Sequence, residues 1–165
     1  MVRKAKIEPS IHIHHDIFLG RGGKSNDFII MLLKGHLVIE AVLAKILNHC
    51  GHGEEIWRWS FPQKVDKCYE LGVIDNVGVV VSKDINDIRN DFCHSLGHDI
   101  SFDTMYDFLI KWNSVGLDYG DDLDFTYEVQ KEEFGIEGIL DESMSYLIES
   151  LYADAVHFGV DIEVY

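Results

Sequence analysis

Between Phe28 and Leu47 apolar residues return every three or four positions. Phe28, Ile29, Leu32, Leu33, Leu37, Ile39, Leu43, Ala44 and Leu47 share one broad face, with His36 and Glu40 set into it. A period near 3.6 held over this length fits an amphipathic helix and not a strand, whose side chains alternate at every second residue. Such a helix must bury its face against other elements, and the rest of the chain reads mostly as further helices. Ser25 or Asn26 is expected to cap the long helix, and Gly51 and Gly53 to end it. A second helix opens at Ser60 with Pro62 in its first turn, turns Val65, Cys68, Tyr69 and Leu71 inward, and stops at Gly72. Val77–Val81 is β-branched, but a lone strand has nothing to pair with, so an extended connection or helix start is expected. Ser82 should then cap a third helix, with Ile85, Ile88 and Phe92 inward, Asp84, Asp87 and Asp91 outward, and Gly97 beyond its end. Ser101 or Asp103 opens a fourth helix carrying Met105, Tyr106, Phe108, Leu109 and Trp112. Residues 116–138 read as an acidic, Gly-rich loop. Asp141 is expected to cap a last helix through Met144, Leu147, Ile148, Leu151, Tyr152 and Ala155, closed by Gly159. The sum is an all-α bundle of about five helices. Residues 1–24 form a basic N-terminal segment, 25–115 the helical core, and 116–165 an acidic loop and helix packed on that core.

Charge is distributed as unevenly as this division suggests. The net charge is −15, yet residues 1–115 hold 15 of the 29 acids and 13 of the 14 Lys and Arg, a balance of −2. The last fifty residues hold the other 14 acids and only Lys131, a balance of −13. Such asymmetry points to a near-neutral core with an acidic region attached. A chain of 165 residues suits one domain, burying roughly two-thirds of its unfolded surface. No apolar run is long enough to span a bilayer, and the first residues lack the pattern of a signal peptide. The three cysteines, Cys50, Cys68 and Cys93, are an odd number without repeated spacing. Reduced thiols in a cytoplasmic protein are expected, with no disulfide framework.

Arg89-Asn90-Asp91-Phe92-Cys93-His94 gathers the side chains best suited to chemistry. Arg presents a planar, always-charged fork that matches phosphate oxygens, and His is the group best placed to move a proton near neutral pH. Asn90 and His94, four apart, share a helix face, and Arg89 lies on its flank. On spacing alone this is better explained by a surface Arg and a His favoured by the helix C-terminus. Glu40 and His36 lie one turn apart on the apolar face of the first helix. A carboxylate there needs a partner, and Arg89 is one candidate; a purely structural salt bridge is the other.

The whole run Asp84–Ser95, with Arg89, Asn90 and His94 in place, resembles the Arg-x4-His motif helix of the HEPN family (higher eukaryotes and prokaryotes nucleotide-binding domains). The resemblance covers residues 25–115 and fades beyond. It implies a helical domain that dimerises with its two motifs facing each other across a cleft, and a metal-independent endoribonuclease that needs no cofactor. In that reading His94 is the general base on a ribose 2′-hydroxyl, Arg89 stabilises the charge on the phosphorane, and Asn90 orients one or the other. RNA would be the substrate and an antitoxin or other regulatory protein a further partner, in a toxin or antiphage setting. Some family members are silenced by modification of a Tyr two residues after the motif His; here that position is Leu96, which argues against that control. The stretch Lys34–Glu40 also resembles, more loosely, bacterial regulators of the mannitol-operon-repressor type, so a catalytically silent binding or regulatory module is the alternative.

Other patterns are weaker. His12, His14, His15 and Asp16, and separately His49, Cys50 and His52, lack the spacing of a structural metal site, and no metal is expected. Gly23-Lys24-Ser25 lacks the earlier glycine of a phosphate-binding loop, Phe18 standing in its place. Trp57-Arg58-Trp59 is readable as a base-stacking platform or, more simply, as a staple into the core. Finally, residues 116–138 are readable as an anionic stand-in for RNA that lies along the cleft and repels the substrate until a partner displaces it. The plainer reading is an acidic region that only aids solubility.

Overall fold

A computed structural model describes residues 26–94, 100–120 and 123–161; the side chains of Asn26, Asp27 and His94 lie outside the described part. Among the described residues all regular structure is helical: α1 (Asn26–His49), α2 (Phe61–Glu70), α3 (Asn76–His94), α4 (Phe102–Val115), a single turn α5 (Tyr127–Val129) and α6 (Gly135–His157). An all-α bundle of five substantial helices is therefore what the chain forms.

The core is built on α1, whose Leu32, Ile39, Leu43, Ile46 and Leu47 are fully buried. Ile29, Leu33 and Leu37, which the periodicity assigns to the same face, are exposed. The apolar arc of α1 is wider than α2, α3 and α6 cover. α6 runs alongside α1, with Gly35 of α1 packed directly on Met144 of α6, and it adds Ile139, Leu140, Leu147 and Leu151 to the same core.

The opening of α2 is as expected: the Ser60 N–H donates to Gln63 Oε1 at 2.8 Å, and Pro62 sits in the first turn. Its inner face differs. Phe61, Lys64, Val65 and Cys68 are buried, whereas Tyr69 and Leu71 are exposed. The buried residues follow the three-and-four spacing of one stripe; Tyr69 falls beside it and Leu71 beyond the last turn.

α3 begins at Asn76, not at Ser82. The Asp75 carboxylate accepts from the Gly78 N–H at 2.8 Å and caps the helix, so Val77–Val81 form its first turns and Ser82 is buried within it. Asp84, expected outward, accepts from Trp112 Nε1 at 2.8 Å and from Lys111 at 2.7 Å, tying α3 to α4. Asp87 and Asp91 do face solvent. α4 opens at Ser101, whose hydroxyl accepts from the Thr104 N–H at 3.1 Å.

Residues 116–138 are not a loop throughout. Leu117 and Tyr119 are buried, and the Tyr119 hydroxyl lies 2.7 Å from Ser143 Oγ. From Tyr127 the chain is helical, widening into a π-turn over Gln130–Phe134. α6 accordingly starts at Gly135, and Asp141 lies inside it instead of capping it. No helix of the described residues is long and apolar enough to cross a membrane.

Candidate functional site

Asn86, Arg89, Asn90 and Cys93 are spaced three, four and seven residues from the first, which places them along one flank of α3. Phe28 of α1 meets Phe92 of α3 with ring centroids 5.3 Å apart, and His36 meets Asn86 one turn before Arg89, so the two helices run antiparallel past this flank. Arg89 Nη1 donates to Asn90 Oδ1 at 2.9 Å, which fixes the guanidinium plane against its neighbour. Arg89 is half-buried, its Nε is buried without a hydrogen-bond partner, and among the described residues no carboxylate lies within ion-pair distance of it.

His36 is buried. Its Nε2 lies 3.1 Å from Asn86 Oδ1, and because that oxygen can only accept, Nε2 carries the hydrogen. Its ring stacks on Phe61 with centroids 4.2 Å apart. Burial holds the imidazole below the ordinary histidine value; the Asn86 bond and Glu40 oppose this, while Arg89 and Lys64 reinforce it. His36 is therefore the neutral tautomer at pH 7.

Glu40 pairs with Lys64 of α2, not with Arg89. Lys64 is 4 % exposed, and a buried ammonium requires such a partner. Glu40 thus neutralises Lys64, and among the described residues no carboxylate is left to compensate the Arg89 charge. Sequence reasoning named Glu40 and His36 but missed Lys64 and Asn86 as their partners. The signals existed: Lys64 falls in the buried stripe of α2, and Asn86 lies four residues before Asn90 on the same flank.

His94 is the last residue of α3, and its side chain lies outside the described residues. By helical spacing, at roughly 100° per residue, positions 90 and 94 differ by about 40° around the axis, and positions 89 and 94 by about 140°.

Among the described residues the other patterns yield no competing site. A cleft of about 260 Å³ opens on another flank of α3, against α4, over Ile88, Phe92 and Phe108, with exposed Asp87 and Asp91 among its lining. Two carboxylates suit it poorly to a phosphate. Trp57 is 66 % exposed and no core staple; Trp59 is half-buried, edge-on to His52 at 5.2 Å. His52 bonds Glu55, and among the described residues no group of three or more His, Cys, Asp or Glu side chains is placed to hold a metal ion. The His12–Asp16 cluster, the Gly23-Lys24-Ser25 run and Leu96 lie outside the described residues. No family model, curated protein or solved structure matches the chain.

Proposed function

We propose that this protein is a HEPN-type, metal-independent endoribonuclease, acting as a toxin or antiphage effector in the cytoplasm and held in check by a protein partner. The observation that carries the reading is Arg89: a half-buried guanidinium, oriented by Asn90 and paired with no carboxylate among the described residues, in a chain of net charge −15. In so acidic a protein a half-buried arginine without a counter-ion is matched to an anion from outside, and a phosphodiester fits its fork. Arg89 would stabilise the charge that develops on the phosphorane. His94 would take the proton from the 2′-hydroxyl as that oxygen attacks phosphorus, and the 5′-oxygen of the next nucleotide would leave. The nucleophile belongs to the RNA, so no metal or cofactor is required. The register on α3 favours a homodimer in which each cleft takes Arg89 from one copy and His94 from the other. The free thiols of Cys50, Cys68 and Cys93 suit a reducing compartment.

The test is incubation of labelled RNA in EDTA with the wild type, Arg89→Ala and His94→Ala. Either substitution should slow cleavage by roughly two decades or more. Equal rates in the variants, with contaminating nucleases excluded, overturn the assignment. The second reading, a catalytically silent binding or regulatory module, draws on the net charge of −15, which opposes affinity for any polyanion. It predicts no cleavage by the wild type.

A further inference from the structure

One buried polar group beside the Arg89 flank of α3, His36, takes no part in the reaction proposed above. His36 sits between α1, α2 and α3, bonded to Asn86, which precedes Arg89 by one turn, and stacked on Phe61. Among the described residues the charges that face it are Glu40 from its own helix, Lys64 from α2 and Arg89 from α3. Glu40 and Lys64 form an ion pair with each other. Among the described residues the charge here that no carboxylate pairs is that of Arg89, and it opposes a proton on His36.

We propose that His36 is a proton-linked positioning residue of the anion site: when a phosphodiester occupies Arg89, His36 takes up a proton. The inference rests on the reading of Arg89 as the phosphate-binding group. Its physical basis is linkage between two binding events. A phosphodiester on Arg89 cancels the guanidinium charge, and the remaining neighbours of His36, Glu40 and Lys64, cancel each other. Nε2 already donates to Asn86 Oδ1, so the incoming proton goes to Nδ1 and the bond to Asn86 persists in both states. Protonation therefore adds positive charge behind the bound phosphate without repacking the cluster, and binding becomes tighter as the pH falls.

Both directions of the coupling are measurable on the whole protein. Histidine side-chain NMR signals are followed between pH 4.5 and 8, and His36 is identified by its absence in His36→Gln or, if that variant does not fold, by through-bond assignment. The probe is a 2′-deoxy tetranucleotide, which carries phosphodiesters of constant charge and cannot be cleaved by 2′-hydroxyl attack. Saturation with it should raise the His36 midpoint by about 0.5 pH. Arg89→Gln should raise the midpoint without any probe, and added probe should then leave it unchanged. Reciprocally, wild-type affinity should gain as the pH falls through the His36 midpoint, beyond any gain in His36→Gln, approaching a limit of roughly threefold well below that midpoint, the equivalent of the midpoint change.

Probe binding that depends on Arg89 but leaves the His36 midpoint in place overturns the proposal and spares the anion site. A midpoint unaffected by Arg89→Gln overturns it without reference to any ligand. No probe binding at any pH, in a protein whose His36 responds to Arg89→Gln, overturns the phosphate site and with it the proton link.

Discussion

Gly35 lies in the middle of α1, where an alanine would ordinarily gain about 1 kcal/mol in helix propensity. In this fold the gain should be reversed. A Cβ at position 35 would sit 2.0 Å from Met144 Sδ, 3.0 Å from its Cε and 3.4 Å from its Cγ. Met144 is fully buried on α6, so its thioether has no solvent to move into. Overpacking of this kind costs about 1–3 kcal/mol, and a contact so far inside van der Waals distance belongs at the upper end. Gly35→Ala should thus lose about 1–2 kcal/mol net, read as a lowered urea midpoint with an unchanged slope. Met144→Ala alone should cost about 2–5 kcal/mol, but in that background Gly35→Ala should recover its propensity and stabilise by about 1 kcal/mol. The cycle would then show a coupling of about 2–3 kcal/mol. A Gly35→Ala variant that stabilises the wild type as much as it stabilises Met144→Ala would refute the close α1–α6 packing.

Two further expectations concern buried polar groups. Trp112→Phe removes the indole donor that reaches Asp84 at 2.8 Å and should cost about 2 kcal/mol in urea denaturation, the low end because Lys111 still pairs with Asp84. Burial and the neighbouring Glu142 push the Asp141 carboxyl up to about 6 from an ordinary 3.8. With its folded value raised, this group contributes stability that is full below pH 3.8 and lost as the pH rises through about 6. Asp141→Asn should therefore be more stable than the wild type at pH 7, by about 1 kcal/mol after allowing for its partial exposure, and the difference should vanish near pH 4 in urea midpoints taken across that range; a constant difference would refute the burial argument.

The helices were legible because their apolar spacing is regular, and Ser60, Ser101 and Gly72 act as their types suggest. Helix starts were less legible where two cap residues compete. Ser82 and Asp141 both favour a helix start, but Asp75 caps α3 well before Ser82, and the π-turn at Gln130–Phe134 carries the chain into α6 before Asp141. Ile29, Leu33 and Leu37 look like core because periodicity marks an apolar arc and cannot say how much of it is covered. For the candidate site, Arg89, Asn90 and His36 stood out by type and position. The bond from His36 to Asn86 joins residues fifty positions apart, and the pairing of Glu40 with Lys64 depends on how α2 docks, neither of which local sequence encodes. For the anionic-strap idea, Leu117, Tyr119 and Gln130 are buried, so deleting residues 116–138 would open the core and does not isolate the effect of their acids.

In the proposed function Arg89 and His94 cleave RNA through its own 2′-hydroxyl. The most direct measurement uses an oligodeoxynucleotide carrying a single ribonucleotide, incubated in EDTA and analysed by mass spectrometry. Cleavage should occur only on the 3′ side of that ribose, leave a 2′,3′-cyclic phosphate on one fragment and a free 5′-hydroxyl on the other, and drop by roughly two decades in His94→Ala. Cleavage at deoxynucleotides, a 5′-phosphate on the product, or an undiminished rate in His94→Ala would contradict it.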